Sequence, residues 1–114
     1  MQRQMLKSKI HRARVTSTNI DYEGSLAIDR KLMEKADILP FEKISIYNIT
    51  NGSRFETYAI SGEPGEIMVN GAAARLADEG DIIIIAAYAL VDEVRTAAFT
   101  PKIIKVDQDN RPAT

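Results

Sequence analysis

The sequence predicts a small, mainly β domain, a closed β-barrel with short helical inserts, and three observations point there. Short β-rich runs recur along the chain, at 9–15, 43–50, 53–60, 67–69, 82–88 and 102–106, and turn residues separate most of them. Only two stretches, 30–36 and 72–77, carry helical spacing. Many short strands with few helices would leave exposed sheet edges, and closing the sheet removes them, so a barrel fits best, though periodicity alone does not separate a barrel from a sandwich.

Taken in order, Lys9 to Val15 alternates loosely around Ile10 and reads as a partly exposed strand. Asp29 stands where an N-cap belongs, and Leu32, Met33 and Ala36 follow at helical spacing, so 30–36 is a short helix ending before Pro40. The runs 43–50 and 53–60 flank Asn51-Gly52, which predicts a hairpin closed by a type I′ turn, because both central residues of that turn need positive φ. On the second strand, Arg54, Glu56 and Tyr58 share one face, and Phe55, Thr57 and Ala59 the other. Pro64-Gly65 is a turn and Ile67 to Val69 a short strand broken by Asn70-Gly71. Ala72 to Ala77 reads as a short helix, since alanine loses little on becoming helical. Ile82 to Tyr88 is apolar on both faces, which predicts a central strand covered on both sides. Lys102 to Val106 makes the last strand, and the polar tail Gln108 to Thr114 is expected to fray.

Composition narrows the chemistry. The 114 residues suit one domain with a modest core of its own. With 15 basic and 16 acidic residues the formal charge is −1, without the basic excess of a nucleic-acid binder. There is no cysteine, so disulfides, thiolate nucleophiles and thiolate metal sites are excluded, and a reducing cytoplasm is the expected compartment. Met1 to Lys7 lacks the apolar core of a secretion signal, and the longest apolar run is too short to cross a bilayer as a helix, so no membrane association is expected. With a single histidine as well, electrophilic chemistry would need an added cofactor or one made from the chain, and no metal site is expected.

The stretch Asp21-Tyr-Glu-Gly-Ser-Leu-Ala-Ile-Asp29 lies between the first strand and the first helix. By itself Gly24-Ser25 is an ordinary turn pair. It occurs, however, in an ordered set: Lys9-Ile-His-Arg12, Tyr22-Glu-Gly-Ser25, Thr50-Asn-Gly52, Arg54, Thr57-Tyr58 and Asn70-Gly-Ala-Ala-Ala74. From about Arg3 to about Val106 the set resembles the bacterial aspartate 1-decarboxylases, pyruvoyl enzymes that make β-alanine for pantothenate. The resemblance implies a double-psi β-barrel, a homotetramer with active sites between neighbouring subunits, and L-aspartate as substrate. It implies self-cleavage between Gly24 and Ser25, giving segments 1–24 and 25–114, with Ser25 converted into a pyruvoyl cofactor that binds the substrate amine as a Schiff base.

The same resemblance distributes roles. Ser25 and Tyr58 would be catalytic, Ser25 as the source of the cofactor and Tyr58 as the proton donor, a task for which a phenol protonated at neutral pH is suited. Thr57 would serve the oxyanion formed during cleavage and contact the substrate. Arg54 and Lys9 would hold carboxylates, and Gly71, Ala72 and Ala73 would offer backbone N–H groups. His11, Tyr22 and Asn70 would support the site. Position 47 is Tyr where some relatives have Trp. The competing reading is a small β-barrel binding module that keeps Ser25 as plain serine.

Overall fold

A computed structural model describes residues 1–113. Eight strands, in chain order β1 (Gln2–Arg14), β2 (Ser17–Asn19), β3 (Leu26–Asp29), β4 (Lys43–Asn48), β5 (Arg54–Gly62), β6 (Ile67–Asn70), β7 (Ile82–Asp92) and β8 (Lys102–Lys105), form one mixed sheet. One helix, α1 (Arg30–Ala36), and two 3-10 turns, Gly71–Arg75 and Glu93–Ala98, complete the secondary structure of the described residues.

The strand order is β2-β6-β3-β5-β4-β7-β1-β8. Strand β1 lies near one end of that order and runs directly into β2 at the other, so the sheet must curl back on itself. At the join, Val15 N–H donates to Asp81 O at 2.9 Å and Thr16 N–H to Ile67 O at 2.8 Å. The expected barrel is therefore present, and its interior is filled rather than hollow. Ile10, Leu26, Ile28, Ile44, Ile46, Ile67, Val69, Ile83 and Ile85 point inward and are all at most 1% exposed. Each such side chain stabilises the fold by about 1.5–3 kcal/mol through burial. Leu32, Met33 and Ala36 of α1 join the same cluster. Asp29 caps that helix as expected, its carboxylate accepting from Lys31 N–H and Leu32 N–H.

Besides the helix expected over 72–77, which is a 3-10 turn, four expectations need correction. Strand β1 starts at Gln2 rather than Lys9, and its alternation is loose because two register shifts interrupt its pairing with β7, one between Leu6 and Ser8 and one between Ile10 and Ala13. The hairpin of β4 and β5 forms, but not on a type I′ turn: Gly52 has φ +79° while Asn51 stays at negative φ. Instead Asn48 closes a four-residue loop, its backbone bonding Ser53 and Gly52 and its side-chain oxygen accepting from Thr50 N–H and Asn51 N–H. Strand β7 is central, between β4 and β1, but Ile82 and Ile84 are only half-buried, so its outer face is incompletely covered.

The last correction is the tail, which is pinned. Asn110 is 1% exposed at φ +60°, and its side chain bonds Arg14 N–H, Arg14 O and Gly65 O at 2.7–2.9 Å. Polar composition hid this, because the bonds are made by a single buried amide to backbone far away in sequence; Thr114 lies outside the described residues.

Candidate functional site

Ser25 immediately precedes β3, at the point where that strand enters between β5 and β6, with Leu26 opposite Ala59 on one side and Val69 on the other. Insertion between two strands buries the residue to 1% exposure. Its backbone sits at φ +107°, outside the regions an L-residue prefers. Such strain persists only where the surroundings over-determine it, and here they do. Asn70 N–H donates to Ser25 O at 3.0 Å, and the Asn70 side-chain amide reaches Ser25 Oγ at 3.3 Å. Asn70 is itself fully buried, and its Oδ1 has no partner.

Gly71 packs closely on the backbone of Gly24, just before the Gly24–Ser25 bond. Its φ of +65° favours glycine, and a Cβ there would stand 2.7 Å from Gly24 N and 2.8 Å from Gly24 Cα. Across from it lies Tyr58: a Cβ on Gly24 would be 3.6 Å from the Tyr58 hydroxyl. The Gly24–Ser25 peptide is thus held between Asn70-Gly71 and the Tyr58 phenol. An open cavity of about 440 Å³ adjoins it, walled by Asp21, Tyr22, Glu23, Ser25, Phe41, Tyr58 and Ile60.

A strained Gly-Ser peptide with an amide on the serine hydroxyl is an unusual thing for a fold to maintain. The family model described as aspartate decarboxylase matches residues 1–113. The chain belongs to the aspartate decarboxylase family. It is 60% identical over 114 residues to the aspartate 1-decarboxylase of Syntrophobacter fumaroxidans, covering 98% of this chain and 92% of that one. It is 58% identical to the aspartate 1-decarboxylase of Thermoanaerobacter pseudethanolicus, covering 98% and 97%. The relative from Syntrophotalea carbinolica, also an aspartate 1-decarboxylase, is 53% identical over 116 residues.

Against this family background, the protomer brings together only some of the anticipated residues. Ser25, Gly24, Tyr22, Tyr58, Asn70 and Gly71 converge. Thr57, half-buried, alternates to the other face of β5 and is not a wall of the cavity. Ala72 is exposed and Ala73 packs on the core, both within the 3-10 turn rather than the α-helix expected over 72–77. That turn is anchored at its far end, where Leu76 O accepts from Asn48 Nδ2, Asn51 Nδ2 and Ser53 Oγ.

The cations are elsewhere. Arg54 lies four residues from Tyr58 on β5, roughly 13 Å along the strand. Its guanidinium stacks on the Tyr47 ring, 4.9 Å from the centroid, and Tyr47 shares a 2.7 Å hydrogen bond with the Tyr88 hydroxyl. That bond and burial push the Tyr88 phenol up to about 12, so it stays protonated at neutral pH. Lys9 projects from β1, whose register runs Lys9–Ala86–Ser45–Glu56 across to β5, three strand spacings or roughly 14 Å. His11 follows Lys9 on the same strand, with Nδ1 enclosed and unpaired. Burial lowers its basicity first, and the charges of Lys9, Arg12 and Lys105 lower it further.

Sequence reasoning missed Asp21, Glu23, Phe41 and Ile60 as cavity walls. The two acids flank Gly24-Ser25 and were within reach of adjacency arguments. Phe41 and Ile60 arrive through folding, from segments distant in the chain.

Proposed function

We propose that this chain decarboxylates L-aspartate to β-alanine and CO2, as a step toward pantothenate, through a pyruvoyl group made by its own cleavage between Gly24 and Ser25. The observation that carries the reading is the strained, clamped Gly24–Ser25 peptide in a chain of this family. Serine is a weak nucleophile at neutral pH, so orientation has to supply much of the rate. Positive φ at Ser25, the Asn70 amide on its Oγ and the close approach of Gly71 all restrict the peptide to one geometry. Attack of Oγ on the Gly24 carbonyl carbon forms an ester as the Gly24–Ser25 amide breaks; loss of the Ser25 α-proton then releases residues 1–24 as a carboxylate and leaves dehydroalanine, which water hydrolyses to the pyruvoyl carbonyl with loss of the Ser25 nitrogen as ammonia. Thr57 is the oxyanion donor that the family resemblance implies.

The open cavity beside Ser25 leaves room for such a group and its substrate, and the Asn70 amide at Ser25 Oγ offers it a buried hydrogen-bond donor. When formed, it supplies the electrophilic carbonyl and the electron sink for loss of CO2. Tyr58 would return a proton to the substrate carbon, a reading supported by its place at the cavity wall beside Gly24.

Charge supports assembly. The Ser25 cavity of one protomer has two carboxylates, Asp21 and Glu23, among its walls and no Lys or Arg. A dicarboxylate needs cations, and Arg54 and Lys9 lie far along and across the sheet. A homotetramer with sites between subunits would bring a neighbour's cation to each cavity. The half-covered outer face of β7 and exposed Leu90 and Val94 offer apolar surface for such contacts. Among the described residues no helix is long and apolar enough to cross a membrane. A cytoplasmic enzyme suits that and the cysteine-free chain.

Denaturing mass spectrometry of purified protein, paired with a β-alanine assay, tests the reading. Expected are a fragment ending at Gly24, a larger fragment with a blocked N-terminus, and activity that Ser25→Ala abolishes together with cleavage. A chain that stays intact on long incubation, or decarboxylation by Ser25→Ala, overturns it.

A further inference from the structure

Phe41 has two properties that do not belong together in a residue kept for packing. Its backbone is left-handed, φ +71°, and its side chain is 76% exposed. A bulky residue at positive φ is an outlier, and this one recovers little burial in return. The surroundings nevertheless enforce it. Phe41 N–H donates to Ala59 O at 2.7 Å, and Ala59 N–H donates to Glu42 O at 3.0 Å, so Phe41 and Glu42 together oppose the single residue Ala59. That is the pattern of a β-bulge whose first residue is left-handed, a position glycine normally fills. The Glu42 carboxylate fixes the bulge, accepting from Leu39 N–H at 3.0 Å and pairing with Lys7 at 2.6 Å.

Bulges re-aim side chains, and this one aims Phe41 at the cavity beside Ser25. There its ring meets the Tyr58 ring, centroids 6.3 Å apart and planes inclined by 37°, an ordinary aromatic pair geometry. Tyr58 is otherwise 37% exposed, on the open face of β5. Among the described residues, Phe41 supplies the aromatic ring packed against the Tyr58 ring.

We propose that Phe41 is a positioning residue for Tyr58, and that the left-handed bulge exists to place its aromatic ring against the phenol at the cavity wall. The inference rests on Tyr58 as the proton donor, so its test has one arm that needs neither cleavage nor turnover. In the Ser25→Ala chain, nitration of each tyrosine by tetranitromethane is followed by peptide mass spectrometry. Phe41→Asn is expected to raise the rate at Tyr58 several-fold while leaving Tyr47 and Tyr88 unchanged.

The second arm uses the cleaved enzyme. Phe41→Asn should lower kcat roughly tenfold with KM for aspartate little changed, since a misplaced catalytic group costs rate rather than binding. Phe41→Tyr should restore it. Asparagine tolerates left-handed backbone, so the melting temperature of Phe41→Asn should equal or exceed that of the parent. This split, lower rate without lower stability, separates positioning from packing. Unchanged Tyr58 nitration overturns the proposal, and so does unchanged kcat. Loss of kcat accompanied by dissociation in light scattering overturns it as well, by making Phe41 a subunit contact. If the parent chain does not cleave, the reading of its function fails, while the nitration arm still decides whether Phe41 confines Tyr58.

Discussion

Tyr58 and Gly71 face each other across the Gly24–Ser25 bond, and they answer differently to substitution. Tyr58→Phe keeps the ring and removes only the hydroxyl. Cleavage should proceed, and turnover should fall by about 10²–10⁴-fold, the usual contribution of a positioned acid; normal turnover in a steady-state assay would remove Tyr58 from the mechanism. Gly71→Ala places a methyl group 2.7 Å from Gly24 N at a φ that favours glycine. Overpacking of this kind costs about 1–3 kcal/mol, which urea unfolding in the Ser25→Ala background should report. Mass spectrometry of the Gly71→Ala chain should also show slowed cleavage, because the peptide can no longer sit where it does. At this scale the sequence was informative about identity and poor about role. Gly71 matched a substrate-contacting position by resemblance, while its closest contacts are with the backbone to be cut. Ser25 offered no hint of positive φ, because only its insertion between β5 and β6 imposes it.

Among the elements, α1 was the most legible and the tail the least. Asp29, Leu32, Met33 and Ala36 encode the helix locally, through a cap and one apolar face. The same Asp29 carboxylate reaches Gly65 N–H at 2.8 Å, tying the helix start to the turn after β5. Asp29→Ala should therefore cost about 1–2 kcal/mol as the loss of an N-cap, visible as a lower melting temperature. The β4–β5 hairpin shows the limit of turn rules. Asn51-Gly52 marked the loop correctly, but Asn48, buried against Asp81 and bonded to the loop backbone, selected its length. Strand β1 shows another limit, since bulges shift the alternation that strand recognition depends on.

For the molecule as a whole, pH and assembly are the measurable consequences. His11 is held below its ordinary value of 6.5 by burial and by nearby cations, so the unfolded chain takes up the proton first. Stability should be full above that value and fall as pH drops through 6.5 toward the lower folded value, before most carboxylates titrate near about 4. Melting temperatures across that window should show the decline, and His11→Asn should flatten it. Lys9, three strands from β5, is expected to act on a neighbour's cavity. Coexpressed Lys9→Ala and Ser25→Ala chains, each inactive alone, should then regain decarboxylation in mixed oligomers; no recovery would place Lys9 within its own site. The sequence by itself determined the β class, the helix over 30–36, six of the eight strands in outline and the family, because periodicity, caps and ordered motifs are local or linear information. The strand order of the barrel, the pinned tail, the left-handed bulge at Phe41 and the clamp on Gly24–Ser25 were decided by tertiary structure alone. Each depends on backbone groups far apart in the chain meeting at hydrogen-bond distance, and no pattern along a single segment records such a meeting.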